Sequence, residues 1–511
     1  MKCTIPEISW HNRDPVLSID LQPTIANNEF KRLATGGTDS HVLIWYIQTT
    51  VDGLATVEIA ADLTRHEKAV NVVRWSPSGE YLASGDDDNI IMIWKQRTDA
   101  DPPSLEEDNE ADKEIWSSIK VLRGHLQDVY DICWSPDSLF LISGSVDNTA
   151  ILWDLNKGKS LGILDDQKNF VQGVAWDPDN KYVATMSSDR TCRVYDIKTK
   201  KVVSRSSKGK AEGENNMCPR IYHDDTLQSF FRRLCFSPDG LLLVVPSGAI
   251  EKEGGKVLNT TYIYSRFSLK IPIVTLPSKE YSIAAKFCPL LFCLRHKTPV
   301  IPLPYRMIIA VATRSSVILY DTEQSTPFAV ISNIHYTRLT DISWSSDGKI
   351  LAVSSTDGFC SIITFSSDEL GEIYKVEKNS ENNNKETEKS AKINLHVLDE
   401  SAMDCTEGTE ALNDESQDEI RLVIEDSQID GEDIVPSTQQ QKQICADIES
   451  EKDSHNDPTQ KTDIKDDIKE TAPLKKDSVT KDDKPVTVKT PRRVSLITLS
   501  SPKSSKIKTK E

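Results

Sequence analysis

One repeated spacing constrains the fold of this chain more than any other feature. An Asp precedes, by six positions, an aromatic residue that ends a short run of β-branched and apolar side chains. The four pairs with this spacing are Asp39/Trp45, Asp88/Trp94, Asp147/Trp153 and Asp189/Tyr195. A turn of small residues leads into a stretch in which alternate side chains are apolar, which predicts a strand. Units of this kind cannot bury both faces alone, so we expect them to stack into a closed ring.

Hairpin turns give the number of units. In turns such as WSPSG, Pro fixes φ and a final Gly or Asn accepts a positive φ. These turns lie at residues 75–79, 134–138, 176–180, 236–240 and 344–348. Two further segments, 11–23 and 284–289, bring the count to seven. We therefore predict an all-β fold, a seven-bladed WD40 β-propeller over residues 1–371, closed by an outer strand from residues 4–10.

The later units depart from the repeat consensus. Tyr264, Tyr320 and Ile363 occupy the aromatic position in the last three units. Inserted loops are predicted at 96–116, 204–222 and 288–305. The first of these loops is acidic, and its charge run favours a solvated loop over a surface for a basic partner.

Histidines recur at a fixed position before the inner strands. His66, His125 and His335 each stand nine residues before a Trp. In WD-repeat proteins a His at this position hydrogen-bonds a Ser or Thr and the turn Asp, and a Trp completes the network. The corresponding sets here are His66, Ser84, Asp88 and Trp94 in the second blade, and His125, Ser143, Asp147 and Trp153 in the third. Because the set recurs from blade to blade, a buried structural network is favoured over a catalytic triad.

The chain changes character after the repeats. Of its 511 residues, none after Tyr374 is aromatic, and this segment is rich in charged and polar residues. Such a composition cannot bury enough apolar surface to offset the chain entropy. We therefore predict a long disordered acidic C-terminal tail, with an acidic linker over 372–483 and a basic end over 484–511.

Signatures of enzymes and metal sites are absent from the sequence. It has no nucleophile elbow, zinc-protease motif or dinucleotide fingerprint. Cys288, Cys293 and His296 lack a fourth ligand and the usual zinc spacing, so no metal and no cofactor are predicted.

The cellular setting is predicted from cysteines, hydropathy and charge. The ten cysteines have no pairing rhythm, no apolar run reaches the ~18 residues of a membrane span, and a signal-peptide pattern is lacking. A reducing compartment, cytoplasmic or nuclear, is therefore expected, with no membrane contact. The net charge of −18 argues against DNA binding by the whole chain and is compatible with basic partners.

Several phrases are more specific than generic repeat residues. They lie at 69–88, 122–137, 145–154, 223–240, 259–266, 332–348 and 354–365. In order and with few gaps, they make residues 1–371 closely resemble the family of middle, WD-repeat subunits of chromatin assembly factor one. The Hir-type histone chaperones are similar in repeat style and are treated as neighbours.

The resemblance implies a non-enzymatic scaffold in a nuclear complex that deposits histones H3 and H4 on DNA during replication and repair. Implied partners are the large subunit, the small WD-repeat histone-binding subunit, the anti-silencing histone chaperone, and H3–H4 themselves, directly or indirectly. Two alternatives stay open: a replication-independent Hir-type chaperone subunit, and a WD40 substrate receptor of a ubiquitin ligase. The Arg that commonly follows the WD dipeptide in such receptors is absent at 153–156 and 195–198.

The basic end contains a short motif, TPRRVSLITL, at 490–499. It resembles the B-domain motif by which both chaperone families bind the anti-silencing chaperone. The resemblance assigns partner contacts to Arg492, Arg493, Val494, Leu496 and Leu499. Alternating apolar residues suit strand addition to a sheet edge, and arginines suit carboxylates. A nuclear-import signal is the alternative. Thr490 and Ser501 each precede a Pro, so their phosphorylation would add negative charge beside the arginines.

Overall fold

The described residues form β-strands and no helix. The computed structural model describes residues 1–23, 30–98, 112–209, 218–251, 257–296, 298–366 and 369–375, and a backbone strand at 495–498. Within these ranges, no helix is long and apolar enough to span a bilayer.

The strands of the first four blades follow one another along the chain. After β1 (Lys2–Thr4), blade 1 contains β2 (Val16–Leu21), β3 (Lys31–Gly37), β4 (Val42–Thr49) and β5 (Ala55–Leu63). Blade 2 contains β6 (Val70–Trp75), β7 (Tyr81–Asp86), β8 (Ile90–Gln96) and β9 (Trp116–Arg123). Blade 3 contains β10 (Val129–Trp134), β11 (Phe140–Ser145), β12 (Ala150–Asp154) and β13 (Lys159–Leu164). Blade 4 contains β14 (Val171–Trp176), β15 (Tyr182–Ser187), β16 (Thr191–Asp196) and β17 (Val202–Ser206).

The last three blades complete the ring. Blade 5 contains β18 (Cys235–Phe236), β19 (Leu242–Glu251), β20 (Val257–Ser265) and β21 (Val274–Ser278). Blade 6 contains β22 (Ser282–Phe287), β23 (Ile308–Thr313), β24 (Ser316–Asp321), β25 (Gln324–Ser332) and a fifth strand, β29 (Ser495–Thr498). Blade 7 contains β26 (Leu339–Trp344), β27 (Ile350–Ser355), β28 (Cys360–Thr364) and the N-terminal β1.

The N-terminus closes the ring, but with other residues than the sequence suggests. β1 pairs antiparallel with β28, with Cys3 opposite Ile363. The strand predicted within 4–10 is therefore misplaced by a few residues. The segment after β1 instead leads to Trp10, which is fully buried and packs its ring against Trp45 at a centroid distance of 4.7 Å.

Apolar packing between blades confirms the prediction of a seven-bladed propeller. Seven clusters of buried apolar side chains each join two neighbouring blades, including blade 7 to blade 1. Tyr264, Tyr320 and Ile363, the divergent residues of the last three blades, are all buried in these clusters. Burial of one side chain of this size stabilises a fold by roughly 1.5–3 kcal/mol, so stacking supplies the main stabilisation.

Two of the three predicted insertions fall where expected. The segments 96–116 and 288–305 lie between consecutive strands, β8 to β9 and β22 to β23. The third, at 204–222, begins later than predicted because β17 extends to Ser206. The predicted acidic linker and most of the basic end lie outside the described residues.

The inner strands share a bulge that turns backbone groups into the central channel. In six blades the pairing of the innermost strand shifts by one residue after its first position. A bulge of this kind leaves one residue unpaired in the ladder. The bulged residues are Leu17, Asn71, Tyr130, Gln172, Ile283 and Thr340.

Blade 5 lacks this bulge and supplies two arginines instead. Its inner strand β18 has only two residues, and the preceding Arg232 and Arg233 are almost fully buried. Arg233 donates hydrogen bonds from its guanidinium to the carbonyls of three bulged residues, Leu17 (3.1 Å), Asn71 (2.8 Å) and Thr340 (3.0 Å). The chain therefore crosses the channel here and satisfies carbonyls of three other blades.

The backbone of these two arginines is bonded in the same way. The Arg232 amide donates to the carbonyl of Gln172 (2.9 Å), and the Arg233 amide donates to that of Ile283 (2.8 Å). The approach is so close that a Cβ on Gly173 would lie 2.0 Å from the Arg232 carbonyl oxygen. Glycine is therefore required at position 173.

Opposite charges surround the guanidinium of Arg233. Asp341 Oδ2 lies 3.0 Å from Arg233 and 2.6 Å from Arg74, while Asp131 Oδ1 lies 3.5 Å and 3.3 Å from the same two arginines. We call Arg74, Asp131, Arg233 and Asp341 the channel cluster. Burial alone would raise the pKa of Asp341, but the two arginines lower it to about 2. The carboxylate therefore stays ionised beside the two guanidinium groups.

The channel cluster predicts a large effect of a single substitution. Arg233→Met should lower the free energy of unfolding by about 3–5 kcal/mol, because it leaves buried carboxylates and carbonyls without their partner. Arg233→Lys should also be destabilising, since one ammonium cannot reach three carbonyls as a fork does. Denaturant unfolding of the full chain measures both.

A matched control is Arg205→Met on the outer strand of blade 4. Arg205 is more than half exposed and forms a surface ion pair with Asp166, so its loss should cost at most about 1 kcal/mol. Equal losses of stability for Arg233→Met and Arg205→Met would contradict the role assigned to the channel cluster.

Candidate interaction face

Hydrogen-bonded side chains hold the turns at one end of the blades. In blade 3, His125 Nδ1 lies 2.9 Å from Asp147 Oδ2, and its Nε2 lies 2.7 Å from Ser143 Oγ. The indole N–H of Trp153 donates to the same Ser143 Oγ at 2.8 Å. The structure thus brings together all four residues predicted for this blade.

Asp147 is held in its ionised form. Burial by itself would raise its pKa, but hydrogen bonds from His125, Thr149 and the Leu126 amide keep the pKa of Asp147 well below its ordinary range. The carboxylate accepts three donors from two segments of chain, so it holds the turn in one conformation.

Blade 2 corrects one residue of the predicted set. His66 Nε2 contacts Ser84 Oγ at 2.6 Å, and Trp94 donates to that oxygen at 2.8 Å, but His66 Nδ1 lies 2.6 Å from Asp86 rather than Asp88. Asp86 also accepts the backbone N–H groups of Asp88 and Ile90, both at 3.0 Å.

The reason lies in a run of three consecutive aspartates. Spacing from the aromatic residue selects Asp88, which is exposed, whereas Asp86 is the last residue of β7 and is buried. The equivalent of Asp86 in blade 3 is Ser145, so the carboxylate is supplied from a different position of the turn in each blade. The spacing rule could not distinguish them.

Other blades contain variants that sequence reasoning missed. In blade 1, His11 Nδ1 lies 2.8 Å from Asp39, and in blade 7 His335 Nδ1 lies 3.1 Å from Asp357. Blade 4 uses Gln167, whose amide N–H donates to Thr185 at 2.8 Å. Gln167 precedes Thr185 by the same 18 positions that separate His125 from Ser143, and this spacing was the available signal.

The correction in blade 2 gives a paired test. Asp86→Ala should lower the free energy of unfolding by about 2–3 kcal/mol, because it removes a buried acceptor of three hydrogen bonds. Asp88→Ala should change it by less than about 0.5 kcal/mol, as expected for an exposed site. Denaturant unfolding of the two variants measures the difference, and a larger loss for Asp88→Ala would reverse the assignment.

The turn carboxylates also fix exposed side chains on this end of the ring. Asp147 accepts the amide of Leu126 at 2.9 Å, Asp189 that of Lys168 at 3.0 Å, and Asp357 that of Tyr336 at 2.8 Å. Leu126 is 82% exposed and Tyr336 is 52% exposed. The buried networks therefore hold apolar side chains in solvent, which folding alone does not require.

An aromatic patch lies at the mouth of the channel on the same face. Phe230 is 60% exposed, and its ring lies 6.1 Å from Tyr130 and 6.4 Å from Phe231. The loop that carries it is held by Gln228, whose carbonyl accepts hydrogen bonds from Arg338 at 2.7 Å and from the Tyr281 hydroxyl at 3.1 Å. We call Phe230, Phe231 and Tyr130 the channel-mouth patch.

Carboxylates adjoin the channel-mouth patch. Burial, with the nearby charges of Asp128 and Asp87, raises the pKa of Tyr130 to about 12. Burial and the neighbouring Asp128 and Asp86 also raise the pKa of Asp87, against the hydrogen bond that it accepts from Asn71. The patch thus combines an exposed aromatic ring with negative potential.

Arginine and lysine line a cavity where the inner strands end. This cavity has a volume of about 480 Å³ and is walled by Trp134 and Trp176 beside Lys286 and Arg233. Arg233 belongs to the channel cluster, and no nucleophile is paired with a base in this cavity among the described residues. It is therefore not a catalytic constellation.

The predicted tail contacts fall mostly outside the described residues. Leu496 lies in strand β29, while Thr490, Arg492, Arg493, Val494, Leu499 and Ser501 are beyond the described ranges. The cysteines and histidine considered for zinc are described. Cys288 is buried, with a pKa raised to about 12 by burial, and His296 lies 3.7 Å from Glu323 instead of a cysteine. Over the described ranges, no group of three metal-ligating side chains is assembled.

Comparison with known proteins places this ring in one family. A family model described as the CAF1B/HIR1 beta-propeller domain matches residues 1–370. The chain belongs to this family. It is 46% identical over 391 residues to the CAF1B subunit of chromatin assembly factor 1 from Gallus gallus, covering 73% of this chain and 69% of the relative. For the corresponding subunit from Mus musculus, identity is 46% over 429 residues, covering 80% and 74%.

The HIR1 branch is more distant. Protein HIR1 of Kluyveromyces lactis is 29% identical over 393 residues, covering 73% of this chain and 43% of that protein. The resemblance to subunits of chromatin assembly factor one is thus confirmed. Because the relatives are named as subunits of an assembly factor, the prediction that the chain is not an enzyme is confirmed as well.

Proposed function

We propose that this chain is the WD-repeat scaffold of a nuclear chaperone complex that deposits H3–H4 on DNA during replication and repair. The carrying observation is the 46% identity to the CAF1B subunit of chromatin assembly factor 1, in a family whose propeller matches the whole ring. Its proposed partners are the large subunit, the small WD-repeat histone-binding subunit and the anti-silencing histone chaperone. Histones are contacted directly or through these partners.

The Hir-type function is the less supported candidate. Identity to HIR1 is 29%, against 46% to the CAF1B subunit. Purification of the full chain with its associated proteins separates the two: recovery of the large assembly-factor subunit supports the proposal, and recovery of Hir partners in its place contradicts it.

We further infer that the channel-mouth patch is a docking surface for one of these partners. Phe230 is more than half exposed on a loop whose backbone is held by Arg338 and Tyr281. A rigid exposed aromatic side chain loses little entropy on binding and is a common anchor at interfaces. Asp87 and Asp128 beside it favour a partner segment in which a cationic residue adjoins an apolar one.

The channel-mouth patch predicts a separation between binding and stability. Phe230→Ala in the full chain should weaken retention of the large subunit or of H3–H4 by about tenfold or more, the loss expected for an aromatic anchor. Its melting temperature should stay close to that of the unchanged chain, since the side chain is largely in solvent.

Ile163→Ala provides the control. Ile163 is 56% exposed on the outer strand of blade 3, away from the channel, so both binding and stability should be retained. If Phe230→Ala and Ile163→Ala retain every partner equally, the patch is not a docking surface.

For the tail we propose binding to the anti-silencing histone chaperone through residues 490–499. The supporting features are the alternation of apolar residues at Val494, Leu496 and Leu499 and the preceding pair Arg492 and Arg493. An extended segment of this type adds a strand to a sheet edge, and the arginines reach partner carboxylates. The pairing of residues 495–498 as a strand is compatible with this conformation.

The two halves of the motif should respond differently to salt. Arg492→Ala with Arg493→Ala should weaken binding of a peptide of residues 484–506 to the chaperone and flatten its salt dependence. Val494→Ala with Leu496→Ala should weaken binding with the salt dependence retained, because apolar contacts set the lifetime of the complex. Calorimetric titration at two salt concentrations measures both.

Phosphorylation provides a further arm of the titration. A phosphate on Thr490 should lower the affinity because its negative charge neutralises the adjacent arginines. If the unmodified peptide does not bind, or all forms bind alike, the segment is an import signal alone.

A further inference from the structure

Blade 6 differs from every other described blade because it carries a fifth strand. β29 pairs antiparallel with β25 on the outer edge of this blade. The Cα partners are Ala329 with Thr498, Val330 with Ile497, Ile331 with Leu496, and Ser332 with Ser495. Four residues from the far end of the chain thus continue the sheet without a shift of register.

The sequence of β25 explains why this edge accepts another strand. Propellers expose the outer strand of each blade, and charged residues on such strands discourage further pairing. Charges stand on the outer strands of five other blades: Lys2, Glu58, Asp62, Lys120, Arg123, Lys159 and Arg205. β25 has nine residues and no charge. β21 is also uncharged, but it has five residues and contains Pro277.

Proline also limits where on β25 the new strand can bind. Pro327 has no backbone N–H, so it cannot donate to an added strand. The pairing begins two residues later at Ala329 and ends with Ser332, the last residue of β25. The open part of the edge therefore matches the four residues of β29 in length.

The docked segment belongs to the tail motif at 490–499. Ser495–Thr498 is uncharged, as a strand added beside apolar neighbours should be. Residues 376–494 connect it to the ring, and at ~3.3–3.6 Å per residue a chain of that length is more than long enough to reach blade 6. Because the connection is covalent, docking is intramolecular and needs no second molecule.

We propose that the outer edge of β25 is a docking site for residues 495–498 of the same chain, and that docking withholds the tail motif from its partner. The second clause rests on the proposed binding of the anti-silencing chaperone. The same four residues would form the strand in both pairings, so a docked tail cannot also add to the partner's sheet. Apparent affinity then falls in proportion to the undocked fraction, about tenfold if nine chains in ten are docked.

A designed disulfide tests the docking without any partner. Directly opposed residues of antiparallel strands have Cα atoms about 4.5–5.5 Å apart, within the ~4.4–6.8 Å that a disulfide spans. Ser332→Cys with Ser495→Cys in the full chain should therefore form a cross-link on mild oxidation, detected as a linked peptide by mass spectrometry. Serine and cysteine are similar in size, so the ring should melt as before.

Thr326→Cys with Ser495→Cys is the matched control. Thr326 is exposed on the same strand but lies outside the paired register. Chains with each single cysteine account for cross-links to native thiols such as the exposed Cys218. If the Ser332 pair cross-links no more than the Thr326 pair, the docking site is refuted.

Binding measurements then separate docking from regulation. The oxidised Ser332/Ser495 chain should bind the anti-silencing chaperone at least tenfold more weakly than the same chain after reduction, and the free peptide 484–506 should bind most tightly. A cross-link that forms while the peptide fails to bind supports docking and refutes the proposed tail function. A peptide that binds while the oxidised and reduced chains bind equally refutes the regulation.

Discussion

The contact between Arg233 and the bulged carbonyls is the interaction on which the ring depends. A propeller needs its inner strands to converge at one axis, where unpaired backbone groups are costly if they are left without partners. In this chain, Leu17, Asn71 and Thr340 direct those carbonyls to a single guanidinium. Five fixed donors on a planar group can serve several acceptors at once, which explains why an arginine occupies this position.

The same arrangement connects the interior to the exposed face. Arg233 lies 3.9 Å from the ring centroid of Phe231, and Phe231 is the buried neighbour of the exposed Phe230. The channel-mouth patch is therefore built on the residues that fill the channel. A surface supported from below in this way keeps one shape in the free protein, which reduces the entropy lost when a partner binds.

Sequence reasoning succeeded where a local period carries the information. Alternating apolar residues and turn chemistry predicted seven blades, because each blade repeats one hydrogen-bonding scheme. It failed at Asp88, where three aspartates satisfied the spacing nearly equally and only burial distinguishes Asp86. It also missed Arg233, since the partners of that side chain are backbone carbonyls far away in the chain. Contacts of that kind leave no periodic pattern in a single sequence.

Closure by the first residues has a consequence for biosynthesis. Lys2–Thr4 leave the ribosome first, yet their pairing partner Cys360–Thr364 is among the last parts of the ring to be made. At ~5–20 residues per second, roughly 20–70 s separate the two events. During that interval six blades are complete while an uncovered apolar surface waits for the seventh. The nascent chain is therefore most vulnerable to aggregation shortly before the ring closes, and a molecular chaperone acting then would decide its yield.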